Sequence, residues 1–322
     1  MRIVMMATGD IALPCFQALQ GTGELVGLIT QPDRPAGRHQ QLTPPTIKLR
    51  AEAAGLPVFQ PEKVRDPEAL EQLRAWKPDL RVVMAYGQLL SQEVIDAASL
   101  ACINVHASLL PRHRGAACIQ AAIEAGDGET GVTIMHVVKK LDAGDIICRA
   151  TLPLKGTETA ETLHDDLAAL APTPLLQAID MLRAGTAPRT EQDESLMTYA
   201  PKLLRANGLI DWSQPAFQVA RKIRAYHSWP GTFTHYPSVK SGSDKALKIF
   251  PPVDVFANVP KPEDDKPGMV LSATADGLIV SCGGVHGGAI RISTLQPPGA
   301  RKMNVESFFA GHKIIPGMIL GA

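Results

Sequence analysis

Cysteine is scarce and badly placed for cross-linking: the chain has five, an odd number, and no two stand at CxxC spacing. With 322 residues it has enough sequence to bury a core without staples, so the thiols read as reduced and the compartment as cytoplasmic. Long hydrophobic runs are also missing. The N-terminal one stops at Thr8, too short for an export signal. None approaches the ~18 residues that cross a bilayer, so no membrane partner is expected. An excess of one charge is absent, since 32 basic residues face 32 acidic ones. That balance excludes a histone-like polycation. The turn after the first apolar run, Ala7-Thr8-Gly9-Asp10, is not GxGxxG, and no GxxxxGK[ST] occurs, so a dinucleotide or ATP cofactor has little support. No GxSxG elbow and no HExxH spacing occur, and the histidines do not cluster with the cysteines, so no metal is expected. The glycine-rich stretch Gly283–Gly288 lies between two short β-runs and reads as a flexible turn rather than a phosphate cradle.

What is there begins with alternation. Apolar β-runs at Arg2–Met6, Glu24–Thr30, Pro57–Phe59, Leu80–Ala85 and Ala101–Val105 are separated by helical patterns, which predicts crossovers, a mostly parallel sheet and helices on both faces. Thr130–Val138 and Asp145–Leu154 read as a hairpin at the end of that sheet. A helical segment over Thr159–Ala184 should break or kink at Pro172 and Pro174. The pattern predicts an α/β domain over 1–185 and a linker over 186–204. A helix from about Pro215 to Tyr226 follows, then five short β-runs with Gly/Pro-rich turns, which favour a small β-barrel over 205–322. Charge is asymmetric beneath its zero sum: residues 205–322 carry a net +5 and residues 1–204 a net −5. A basic C-terminal third suits a polyanionic partner.

The densest polar signal is Asn104-Val105-His106-Ala107-Ser108-Leu109-Leu110-Pro111. Asn104 and His106 end a predicted strand two residues apart, so both side chains share one face at the carboxyl edge where open α/β sheets bind ligands. An amide donor beside an imidazole suits acyl transfer, because the amide can hold a carbonyl oxygen as it becomes negative while the imidazole donates or shuttles a proton. A lone histidine at a strand end is ordinarily structural, and an aspartate in a turn such as Leu141-Asp142-Ala143-Gly144 ordinarily bonds its own backbone. The three residues together suggest more than each does singly.

Asn104, His106 and Asp142, with Ser108–Pro111 between them, resemble the signature of the folate-dependent formyltransferases. Further matches are Thr30–Arg38, Cys102–Pro111, Arg114–Ala117, Glu129–Met135 and Ile210–Ser213, which span nearly the whole length. They are most similar to the branch that formylates methionine on initiator tRNA. The resemblance implies a Rossmann-like domain, an OB-like C-terminal barrel that adds a basic tRNA surface, and 10-formyltetrahydrofolate as formyl donor. It implies that Asn104 polarises the formyl oxygen, His106 stabilises the oxyanion, and Asp142 orients the histidine and helps move the amine's proton. Ser108, Leu109, Leu110 and Pro111 would line the folate pocket. The segment 31–42 would be a mobile loop meeting the tRNA acceptor end, with Arg38 as its contact.

The chain departs from the family pattern at His113, where tryptophan is usual, and at Cys118, where proline is usual; neither is expected to touch the catalytic three. A formyltransferase for a small amine, such as a glycinamide nucleotide or an amino sugar, and a hydrolase releasing formate from the same folate are the alternatives. A pure RNA-binding module would need no common orientation of Asn104 and His106. Arg221, Lys222 and Arg224 read equally as a solvated face or an RNA contact, and Arg112, Arg114, Lys139 and Lys140 as a site mouth or a solvated edge. Trp212 and Trp229 read as core or domain-seam residues, and Cys102 as an inert buried thiol. The loop carries His39-Gln40-Gln41 where basic residues are common in the family, so Arg38 should supply a large share of its phosphate affinity. Arg38→Ala should weaken use of aminoacyl-tRNA while sparing folate binding, measured as separate KM and Kd values; equal loss of both would contradict this role.

Overall fold

Ile3–Ala7 (β1) is a run of five apolar residues, none exposed, as befits a strand covered on both faces. A computed structural model describes residues 1–36, 40–237, 244–283 and 287–321. After β1 come α1 (Leu13–Gly21), β2 (Leu25–Ile29), the small hairpin of β3 (Arg34–Ala36) and β4 (Gln41–Thr43), α2 (Thr46–Ala53) and β5 (Val58–Phe59). The chain continues through α3 (Pro67–Ala75), β6 (Leu80–Met84), α4 (Gln92–Asp96), β7 (Ala101–His106) and α5 (Cys118–Ala125). The hairpin of β8 (Glu129–His136) and β9 (Ile146–Pro153) follows, then α6 (Ala160–Leu170) and α7 (Pro172–Ala184). The β3–β4 hairpin is not foreseen from sequence. Its tip, with Arg38, lies outside the described residues, as does 284–286 of the glycine-rich stretch.

Two compact units form, and they do not follow chain order. Met1–Cys118, Glu129–Pro153 and His164–Pro201 make the first; Ile119–Gly128, Leu154–Leu163 and the chain from Lys202 onward make the second. The sheet of the first unit runs β5-β2-β1-β6-β7-β8-β9, parallel from β5 to β7 and antiparallel from β7 to β9. On one face Val4 and Met6 pack with Leu73 of α3 and with Val94 and Ile95 of α4. Alternation turns Ile3 and Met5, equally buried, to the other face. Pro172 breaks the long helical segment as expected and becomes the first residue of α7, where its missing N–H costs nothing. Gly185, left-handed at φ 68°, ends α7 by donating its N–H to the carbonyls of Leu182 and Met181.

The second unit's sheet is built from β10 (Thr232–Pro237), β11 (Asp244–Phe256), β12 (Val270–Thr274), β13 (Gly277–Ser281), β14 (Ala289–Gln296) and β15 (Met303–Asn304). These pair in the order β10-β11-β14-β13-β12, with β15 beside β14, every contact antiparallel. The result is an antiparallel half-barrel, flanked by α8 (Ala216–Ala225) and α9 (Val305–Phe309). β11 runs on past Pro251 and Pro252, where the sequence suggests a stop at Phe250. The prolines fall where its register with β14 shifts, and a bulge needs no ladder N–H there. Ile223 of α8, Phe308 of α9, Trp212, Leu247, Ile249 and Leu295 share one buried cluster. Trp212 is core as expected and donates from Nε1 to Thr234 Oγ1 at 2.9 Å. Trp229 departs from a core reading, being 55% exposed.

Ile249 is 2% exposed within that cluster. Ile249→Ala should therefore cost about 2–5 kcal/mol, read as a lower denaturant midpoint. A loss under about 1 kcal/mol would mean that the half-barrel core is loosely packed.

Candidate active site

β7 lies where the parallel part of the sheet meets the antiparallel hairpin. In register Asn104 stands between Val83 of β6 and Met135 of β8, and His106 opposite Thr133. Cys102, Asn104 and His106 share one face by strand alternation. Asn104 is half-buried, and its carboxamide makes no side-chain hydrogen bond among the described residues. His106 is 6% exposed.

The chain beyond β7 is fixed from several sides. Thr133 Oγ1 donates to the Ser108 carbonyl at 2.7 Å and accepts from the Leu110 N–H at 3.1 Å. Arg149 Nη2 donates to the Leu110 carbonyl at 2.7 Å, and Ser108 Oγ to the Arg112 carbonyl at 2.7 Å. Ser108 and Leu110 are thereby buried, Leu110 against Met135 and Ile146. Leu109 and Pro111 keep part of their surface open. The four residues of this segment hence divide into two that set its shape and two that offer apolar surface.

Beyond the loop the chain turns back over the histidine. His106 Nε2 lies 3.0 Å from the His113 carbonyl, so that nitrogen carries a proton and donates it. Asp142 Oδ2 lies 3.7 Å from His106 Nδ1 and accepts the Gly115 N–H at 2.9 Å. Asn104 thus shares a strand face with an imidazole that Asp142 meets from a distant hairpin loop. Burial alone would pull the imidazole down. The Cys118 sulfur beside it, the Asp142 carboxylate and the His113 carbonyl outweigh burial and raise it to about 9. The expectation that positions 113 and 118 stand clear of the catalytic three is thereby corrected: one bonds His106 through its backbone and the other touches it through its side chain.

Two glycines make this approach feasible. Gly115 has φ 112°, and a Cβ there would strike the Ala200 carbonyl; a Cβ on Gly144 would strike the His136 carbonyl. Asp142 itself sits at φ 48°, a left-handed conformation uncommon outside glycine. The segment expected as a linker contributes to the site's frame. Residue 190 exchanges backbone hydrogen bonds with Ile146, and 198–200 exchange them with 111–117. Arg114 is 3% exposed rather than a solvated edge, donating to Gln192 Oε1 and to Glu194 Oε1. Lys140 donates to the other oxygen of Glu194 at 2.7 Å, and the two cations hold that carboxylate down at about 2.

Gln192, the Gly115 N–H and the His113 carbonyl carry no signal in residue spacing. Arg114 is legible in the sequence as a site-mouth or solvated-edge residue, and Gly115 only as part of a matched segment. Arg221 Nη1 donates to the Ala125 carbonyl at 3.2 Å, and Arg224 Nη1 to the Glu158 carbonyl at 2.7 Å. Both arginines thus have structural partners within their own unit. Cys102 is buried, and burial raises its thiol to about 11, as an inert thiol requires.

Residues 1–179 match the family described as formyl transferase, and residues 202–313 that described as formyl transferase, C-terminal domain. The chain is 56% identical over 312 residues to a methionyl-tRNA formyltransferase of Akkermansia muciniphila, covering 97% of each. It is 42% identical over 323 residues to one of Moorella thermoacetica, covering 100% of this chain and 99% of that one. Its fold is similar to an N-formyltransferase of Helicobacter canadensis in complex with folinic acid and dTDP-3-aminofucose, with TM-score 0.66, 15% identity, and coverage of 94% of this chain and 100% of that one. It is also similar to HypX of Aquifex aeolicus in complex with tetrahydrofolic acid, with TM-score 0.61, 19% identity, and coverage of 97% and 47%. At such identities the structural likeness speaks for fold alone.

An imidazole raised from 6.5 to about 9 contributes stability in full below pH 6.5 and loses it as pH climbs through about 9. His106 should therefore keep its second proton at neutral pH in an NMR titration and release it near 9. Asp142→Asn should move that midpoint down. A wild-type midpoint at or below 6.5 would refute the assignment.

Proposed function

We infer the chemistry from one premise: the chain belongs to the formyl transferase family. It transfers a formyl group from a formyl-tetrahydrofolate to the α-amine of methionine carried on tRNA. The full-length likeness to methionyl-tRNA formyltransferases is the observation that carries this reading. The donor isomer is 10-formyltetrahydrofolate and the acceptor is the initiator tRNA. Translation initiation in the cytoplasm is the setting that suits them. No metal takes part in the steps below. A net +5 over residues 205–322 suits the phosphates of such an acceptor, which a small amine would not need.

The site suits the donor. A half-buried amide without a side-chain hydrogen bond among the described residues stands at the strand end, and partly open Leu109 and Pro111 offer apolar surface for a flat ring system. The donor supplies an electrophilic formyl carbon. An α-amine has a pKa of ~7.7–8.0 before the ester's inductive pull lowers it, so a useful fraction is neutral at physiological pH and attacks directly. As the formyl oxygen gains charge, the Asn104 amide N–H donates to it. His106 is held cationic by the acceptors around it. Its Nδ1 lies 3.7 Å from Asp142 Oδ2, and the imidazolium stabilises the oxyanion. Asp142 orients the ring and, with it, provides a route for the proton leaving the amine toward the departing folate nitrogen. Ser108 and Leu110 act by fixing the loop's shape.

Purified protein incubated with 10-formyltetrahydrofolate should turn it over only when methionyl-tRNA is added. Folate consumption without tRNA would favour a hydrolase instead. Asn104→Ala should lower kcat by about 10²–10³-fold with KM largely kept, because the lost donor acts on developing charge. A near-wild-type kcat would remove Asn104 from the mechanism.

A further inference from the structure

The Gln192 carboxamide uses its whole hydrogen-bonding capacity within the frame of the site. Its Oε1 accepts from Arg114 Nε at 3.0 Å and Nη2 at 2.7 Å. Its Nε2 donates to the Asp142 carbonyl at 2.9 Å and to the Gly144 carbonyl at 2.8 Å. Two donors and one doubly accepting oxygen are all that a glutamine has. The turn it grips holds left-handed Asp142 and a Gly144 pressed on the His136 carbonyl, a conformation that local preference alone does not favour.

Arg114, on the opposite side of the carboxamide, is itself anchored. Its N–H donates to the Thr198 carbonyl and its own carbonyl accepts from the Ala200 N–H. The same peptide run supplies the Gly115 N–H to Asp142 Oδ2 and the His113 carbonyl to His106. Gln192 therefore joins the turn that bears the carboxylate to the segment that bears both backbone partners of the pair. A glutamate would present two acceptors to two carbonyls, and an asparagine falls one methylene short.

We propose that Gln192 is a positioning residue for formyl transfer, its carboxamide locking the 142–144 turn to Arg114 so that the Asp142 carboxylate meets His106. The proposal rests on the catalytic reading of Asp142 given above. Steady-state formyl transfer to methionyl-tRNA tests it, with active sites counted by titration with the folate so that unfolded protein does not lower the rate per site. Gln192→Ala and Gln192→Glu should each lower kcat by about 10–100-fold, the scale of a misplacement near 1 Å, while KM for both substrates is kept. Gln192→Glu keeps an acceptor for Arg114, so it serves where Gln192→Ala does not fold.

On an Asp142→Ala background Gln192→Ala should cost nothing further, because its effect runs through that carboxylate. Wild-type kcat in Gln192→Glu beside an impaired Asp142→Ala would overturn the proposal, as would full additivity of the two losses. Wild-type kcat in Asp142→Ala would instead sink the reading of Asp142 itself, and the role of Gln192 with it.

Discussion

Removing an imidazolium from water carries a penalty of several kcal/mol unless acceptors surround it, and the site follows from how His106 meets that demand. Its Nε2 is bound to the His113 carbonyl, its Nδ1 faces Asp142, and the Cys118 sulfur stands beside the ring. The first and last of these lie within a dozen residues of the histidine. The carboxylate comes from the β8–β9 loop. Only the return of that loop over the end of β7 makes the third contact, so the antiparallel hairpin completing an otherwise parallel sheet also completes the surroundings of His106.

Position alone does not give the carboxylate a fixed aim. Asp142 carries a left-handed backbone, and both Asp142 and Gly144 turn their carbonyls toward one amide. Local preference would let such a turn relax, and a looser turn would leave the imidazolium undercompensated. The residues from 190 to 200 oppose this through backbone pairing with Ile146 and with 111–117. Shape and electrostatics are therefore shared out along the chain. β7 and the β8–β9 loop supply the side chains that meet at His106, and a segment with one 3-10 turn (Glu194–Leu196) and no ladder strand of its own supplies their rigidity.

How much of this was legible in the sequence depends on whether a side chain or a backbone atom acts. Asn104 and His106 could be paired because strand alternation is a rule of period two, and Pro172 could be placed because it cannot sit inside a helix. The full length of β11 was hidden, since Pro251 and Pro252 argue against a strand until a bulge is seen to hold them. The Gly115 N–H and the His113 carbonyl left no trace, because every residue carries a backbone carbonyl and every residue but proline an N–H. Gln192 was concealed for another reason. In a stretch with two prolines and mixed charges, polar residues read as solvated, and nothing in their spacing says that one faces a buried arginine.

The same distinction explains why the two departures from the family pattern differ in weight. His113 serves through its carbonyl, so the identity of its side chain matters chiefly in tolerating φ 59°. Any residue that accepts that backbone would leave the bond to His106 Nε2 in place. Cys118 serves through its side chain, which a proline could not reproduce. The contact of the Cys118 sulfur with His106 is consequently a departure from the family pattern, whereas the Asp142 carboxylate and the 113 carbonyl belong to the geometry of the site. The buried imidazole is then framed by a backbone carbonyl and a carboxylate, with a sulfur that this sequence places beside them.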